Sequence, residues 1–147
     1  MPRNSAAYED DFYAWTQEQA RLLRSGDLTA VDAANLAEEV ESMGRSDRRE
    51  IDSRLIVLLK HLLKWQFQPE ARTTSWSGTI REQRRQIEKL LRESPSLRPI
   101  VPYTVPEAYA EAREDAAEET GLSGSEFPEA CPFTPDEVLA RDFLPGG

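Results

Sequence analysis

The chain has 147 residues, 39% of them hydrophobic and 31% charged, and a net charge of −9, which suits one ordinary domain with its own core. No apolar run approaches the roughly 20 residues of a membrane helix, and the start, MPRNSAAYEDDFYAW, lacks an apolar signal core, so a cytoplasmic setting with no membrane partner is expected. A single cysteine, Cys131, excludes an internal disulfide and a multi-thiolate metal site, and a single histidine, His61, excludes sites built from several histidines.

After a short lead expected to be disordered, residues 8–24 (YEDDFYAWTQEQARLLR) are predicted to form one helix. Tyr8, Phe12, Trp15, Ala20 and Leu22 or Leu23 recur at steps of three or four, acids crowd the start, Arg21 and Arg24 stand near the end, and Gly26 follows as a stop. Leu36, Val40, Met43, Ile51, Leu55, Leu58, Leu62 and Trp65 then keep one helical phase. This is either one helix over about residues 32–68 or two helices bent at Gly44. The Asp47-x-x-Glu50 capping-box pattern favours a break; the unbroken phase favours continuity, which is preferred, with a local weakness near Gly44. In residues 55–63 (LIVLLKHLL) apolar side chains cover most of the circumference, so this stretch is predicted to be the most buried.

Pro69 ends that helix, and another is predicted from about residue 75 or 79 to 93, with Trp76, Ile80, Ile87, Leu90 and Leu91 on its inner face. Pro95, Pro99, Pro102 and Pro106 are expected to forbid a continuous helix through residues 95–106, with helix resuming near Thr104 as cap and running along an alanine face to Gly121. Residues 123–147 have the proline density of an extended tail, with one short helix begun by Thr134-Pro135-Asp136-Glu137 and enough apolar side chains to wrap on the bundle. The expected fold is all-α: a single domain over residues 1–147, with a bundle of four to five main helices in 8–122 and an extended Pro-rich C-terminal tail in 123–147.

Charge is unevenly distributed. Residues 1–44 carry a net −6, residues 45–98 a net +6 and residues 99–147 a net −9. A basic middle between acidic flanks marks either a nucleic-acid surface or flanks that fold back on the middle; the overall −9 repels polyanions and favours the second.

Taken in order, the blocks DFYAWTQEQARLLR, DAANLAEEVESMGRSDRREIDSRLIVLLKHLLKWQFQP, SWSGTIREQRRQIEKLLRESPSL, AYAEAREDAAEETGL and FPEACPF resemble the bacterial family called "domain of unknown function twenty-nine". The resemblance covers about residues 8–144. It implies an all-helical fold in a bacterial cytoplasm, and it implies no reaction, cofactor or catalytic residue.

Three constellations carry the chemistry of the sequence. Arg54, Lys60, His61 and Lys64 share the one sector of the central helix that large apolar residues leave open, and such a stripe needs acidic partners. Glu39 and its neighbours Glu38 and Glu41 supply them if the chain bends at Gly44; Glu118 or Glu119 supply them if it does not. The functional reading is a His61, Glu39 or Glu119 acid-base or metal site bordered by Trp65; the commoner meaning of such residues is an interhelical salt-bridge network. In RTTSWSGTIREQRR, residues 72–85, Ser, Thr and Gly amides with Arg72, Arg81, Arg84 and Arg85 suit a phosphate or carboxylate, although plain helix capping explains the same pattern. Trp65 and Trp76 beside these arginines offer stacking faces for nucleic acid, yet both fall on inner helical phases.

The preferred reading is therefore a non-enzymatic protein-interaction module with an unknown protein partner, able to form a homo-oligomer and needing no metal or cofactor. The alternatives are a nucleic-acid or anion binder through residues 72–92, nucleic acid being disfavoured by the net charge, and a hydrolase or metalloprotein centred on His61.

Overall fold

A computed structural model describes residues 3–146, and every regular element among them is helical. Six α-helices follow in chain order: α1 (Arg3–Asp10), α2 (Phe12–Ser25), α3 (Ala33–Phe67), α4 (Thr74–Glu93), α5 (Val101–Thr120) and α6 (Pro135–Leu139), with 3-10 turns at Pro69–Ala71, Pro95–Ile100 and Gly124–Glu126. The helix α3 is unbroken through Gly44. The chain nevertheless divides within it into two compact units, Met1–Ser46 and Asp47–Gly147, at the Gly-Arg-Ser-Asp stretch where the sequence carries its local weakness.

In the N-terminal unit the single helix expected over residues 8–24 is two helices. Asp11 is the reason: its carboxylate accepts from the Ala14 N–H at 3.1 Å, so it starts a new helix instead of continuing the old one. Helix α1 also takes up much of the lead expected to be disordered, of which residues 1–2 lie outside the described residues. Gly26 ends α2 as predicted. It adopts φ +80°, its N–H reaches the Leu23 carbonyl, and the Asp27 N–H reaches Leu22, a closure that L side chains rarely accept. The core of this unit is small: Trp15, Gln19 and Leu22 on one face of α2. Asp32 ties the entry of α3 to that face. Its carboxylate accepts from the Trp15 indole N–H at 3.1 Å and from Asn35, while its own N–H donates to the Gln19 side-chain oxygen at 2.7 Å.

The C-terminal unit holds one continuous core. Leu55, Leu58, Leu59, Leu62 and Leu63 are wholly buried, which makes residues 55–63 the centre of this core. Against them lie Ile80, Ile87 and Leu91 of α4, and Ala108, Ala112 and Ala116 of α5. The three alanines lack bulk, so their face suits close approach of another backbone, as their spacing predicted. Helix α4 begins at Thr74, at the earlier of the two expected starts, and Thr73 caps it, its hydroxyl accepting from the Trp76 N–H at 3.1 Å.

The proline segment departs from the sequence reading. Residues 95–100 form a 3-10 turn, and α5 starts at Val101 instead of near Thr104. Pro102 falls in the first turn, where a backbone N–H has no helical partner and its loss costs little. Pro106 forfeits one hydrogen bond inside the helix. Thr104 does not cap; its hydroxyl donates to the Ile100 carbonyl at 3.1 Å. The stop at Gly121, φ +76°, and the start of α6 both agree with the sequence. Thr134 and Glu137 form a complete capping box, each side chain bonded to the other's backbone N–H. Phe127, Phe133 and Val138 carry the last segment into the core.

Candidate functional site

The polar sector of α3 is built by the constraint that no charge be buried alone. Lys60 and Lys64 stand one turn apart and share a single acid, Glu119 of α5, at 2.8 and 3.0 Å. The Lys64 ammonium is almost fully buried and also lies 4.7 Å from the centre of the Trp76 ring, a cation–π contact that helps to offset its lost hydration. Bonding to Lys60 holds the Glu119 carboxyl below the usual range; burial opposes this, and the bond to Lys64 reinforces it. His61 points one nitrogen at the Val57 carbonyl, 2.8 Å away, one turn back along its own helix. Burial lowers its pKa below the ordinary value, opposed by the Val57 bond and aided by the charges of Lys64 and Lys60. His61 is thus neutral at pH 7 beside an acid whose hydrogen bonds go to two lysines.

The other sequence-selected residues are dispersed. Glu39 belongs to the N-terminal unit, where it accepts from the Tyr8 hydroxyl at 2.5 Å. Arg54 pairs with Glu50 at 2.9 Å and reaches Gln83 of α4 at 3.2 Å. Trp65 is half-buried against the core under the Arg72 guanidinium, and Arg72 also donates to the Trp65 carbonyl at 2.8 Å. No group of three or more His, Cys, Asp or Glu side chains suited to a metal ion occurs among the described residues.

The second constellation is brought together, though not at the start of α4 where the Ser, Thr and Gly pattern pointed. Arg81, Arg85, Glu88 and Arg92 follow one another along α4 at helical spacing and face Leu139 and Arg141 of the last segment across an open cleft of about 590 Å³. Arg84 lies at its base and is buried. Its guanidinium donates to the carbonyls of Val138 at 2.9 Å, Phe143 at 2.8 Å, Glu137 at 3.2 Å and Arg141 at 3.5 Å. One side chain therefore fastens the backbone of residues 137–143 to α4. Burial lowers the Arg84 pKa to about 10, opposed by the nearby charge of Asp142, so it stays charged at neutral pH; its N–H groups are taken by carbonyls. Arg92 closes the basic 72–92 segment read from the sequence, whereas Arg141 lies outside it. Arg92 was visible as the continuation of the 81, 85, 88 stripe; Arg141 had no local signal, since its place depends on the fold of the last segment.

A third feature is apolar. Of the large apolar side chains that remain exposed, Phe12, Tyr13, Leu23, Leu28, Val40 and Met43 all belong to the N-terminal unit, and Tyr103 and Leu144 to the C-terminal unit. Val40 is 63% and Met43 68% exposed, although they keep the helical phase of the buried leucines further along α3. They continue that phase and yet stay exposed among the described residues.

No helix among the described residues is long and apolar enough to cross a membrane. No protein of curated function and no solved structure matches the chain. The family model described as domain of unknown function DUF29 matches residues 7–144, nearly the whole length and the same span as the ordered blocks of the sequence, and the chain belongs to that family.

Proposed function

We propose that the protein is a protein-interaction module whose docking surface is the apolar face of the N-terminal unit, centred on Val40 and Met43. The observation that carries this reading is the concentration of exposed large apolar side chains in a unit with only three buried side chains of its own in α2. Large apolar side chains left exposed in one small unit characteristically mark a contact site. The partner is a different protein that presents an apolar patch rimmed by Lys and Arg. Residues 1–44 carry −6, so a symmetric dimer through this face sets two acidic surfaces against each other, whereas a basic rim attracts it.

Photo-crosslinking residues placed singly at Val40, Met43 and, as a control, Lys89 of α4, and expressed in the source cells, test this. Crosslinks to a common second protein from positions 40 and 43, absent from position 89 and abolished by Met43→Glu or Val40→Glu at the neighbouring position of the same face, support the reading. Equal capture from all three positions, or crosslinking only to a second copy of the chain, contradicts it.

A further inference from the structure

We propose that the cleft between α4 and residues 137–143 is a binding site for a small oligophosphate anion, of the kind carried by inorganic triphosphate or the phosphate tail of a nucleoside triphosphate. This site is independent of the N-terminal docking face.

The chain as a whole is strongly acidic, yet five arginines and one acid, Glu88, converge on this cavity. Glu88 is already paired with Arg98 at 3.1 Å, and Arg85 is paired with Glu82. Arg81, Arg92 and Arg141 have no ion pair among the described residues. Arg81 and Arg85 stand four apart on one helix, a mildly unfavourable like-charge arrangement that Glu82 offsets at Arg85 only. The buried Arg84 adds a fixed positive charge at the base. Its N–H groups are used by the carbonyls of Glu137, Val138, Arg141 and Phe143, so it supplies field and not ligand contacts. The exposed arginines supply the contacts, and a guanidinium fork matches a phosphate edge with two parallel hydrogen bonds.

Size selects among anions. Arg81 and Arg92 are about 16 Å apart along the helix axis at 1.5 Å per residue, too far for one phosphate to engage both and suited to a chain of several. A volume of about 590 Å³ lies in the range of small-molecule pockets. The overall −9 opposes a long polyanion, whose remaining phosphates meet the acidic flanks, more than a compact one.

Titration calorimetry of the full chain with inorganic triphosphate, with ATP and with a single-stranded oligonucleotide, each at low and moderate salt, tests the proposal. The expected result is one triphosphate or ATP per chain, binding that weakens with salt, and at least a tenfold loss in the Arg81→Gln, Arg141→Gln double variant. The charge-matched control Arg49→Glu, an exposed residue of α3 that does not line the cleft, loses less than threefold. Tight binding of inorganic triphosphate and ATP alike assigns the site to the phosphate chain; binding of ATP alone adds base recognition to it. Should the double variant fold poorly by circular dichroism, amide shift changes on adding triphosphate to the unaltered chain decide, and they are expected in residues 81–92 and 137–143. No binding of either phosphate at millimolar concentration, equal losses in the variant and its control, shifts spread over the whole chain, or binding of the oligonucleotide alone each overturns the proposal.

Discussion

The two halves of α3 have the same helical phase and different fates. From Ile51 to Leu63 the apolar stripe is covered by α4, α5 and the last segment, and its leucines are wholly buried. From Leu36 to Met43 the same stripe ends in side chains more than half exposed. A helix's apolar face specifies where contact is wanted, but only the surrounding chain decides whether that contact is met within the molecule. The C-terminal unit has enough chain to close its core; the N-terminal unit buries Trp15, Gln19 and Leu22 and leaves Val40 and Met43 exposed.

Leu59→Ala in the buried half of α3 has the largest expected effect. Leu59 has no exposed surface, and the cavity left behind is expected to destabilise the C-terminal unit by about 4 kcal/mol. Val40→Ala, a loss of apolar bulk on the same helix, is expected to change stability by less than about 0.5 kcal/mol. Denaturant unfolding of both variants checks this, and a comparable loss in Val40→Ala would show that its face is packed in solution.

Arg84→Met comes next. It keeps much of the buried volume but leaves four carbonyls of residues 137–143 without their donor, with an expected cost of about 3 kcal/mol. Limited proteolysis should then cut the last segment first. Cleavage unchanged from the natural chain would mean that Phe133 and Val138 alone hold it.

Trp15→Phe probes the small core of the N-terminal unit. It removes the indole N–H that serves Asp32 and is expected to cost about 1 kcal/mol. Burial works to raise the Asp32 pKa, but bonds from Asn35 and Trp15 outweigh it and hold the carboxyl low. A depressed carboxyl stabilises the fold above its unfolded pKa and loses that contribution as pH falls through its folded value. The variant should therefore lose part of the acid sensitivity of the N-terminal unit, read from tryptophan-free probes such as far-ultraviolet circular dichroism below pH 4.

The smallest effect belongs to His61. Its folded pKa lies below the ordinary 6.5, so the unfolded chain binds more protons in that window and stability falls as pH drops through and below about 6.5. His61→Gln is expected to flatten the denaturation midpoint between pH 7 and 5. An unchanged slope would assign that titration to other groups.

Much of this architecture was legible in the chain. The period of α3, its burial maximum at residues 55–63, the stops at Gly26 and Gly121 and the Thr134 capping box are local signals, set by side chains three or four residues apart. The break at Asp11 was equally local and was masked by the aromatic period running across it from Tyr8 to Trp15. Pro102 misled because a helix accepts a proline in its first turn, and Pro106 because α5 carries it inside at the loss of one hydrogen bond. The polar sector around His61 was visible as a stripe, and its acid, Glu119, as one of the two offered by an unbent α3. The basic cleft was half visible: Arg81 and Arg84 could be read from α4, whereas the carbonyls that bind Arg84 lie 53 to 59 residues away and leave no pattern in the sequence. Exposure of Val40 and Met43 was the least legible feature, because periodicity gives the direction of a side chain and not the presence of a neighbour.

The contrast between a closed and an open half of one helix is tested most directly by hydrogen exchange along α3 in the full chain. Amides of residues 51–63 are expected to exchange by global unfolding, and those of residues 36–46 orders of magnitude faster, through local opening. Uniform protection from residue 36 to residue 63 would contradict the account, since it would require the N-terminal half of the helix to be as fully packed as the C-terminal half.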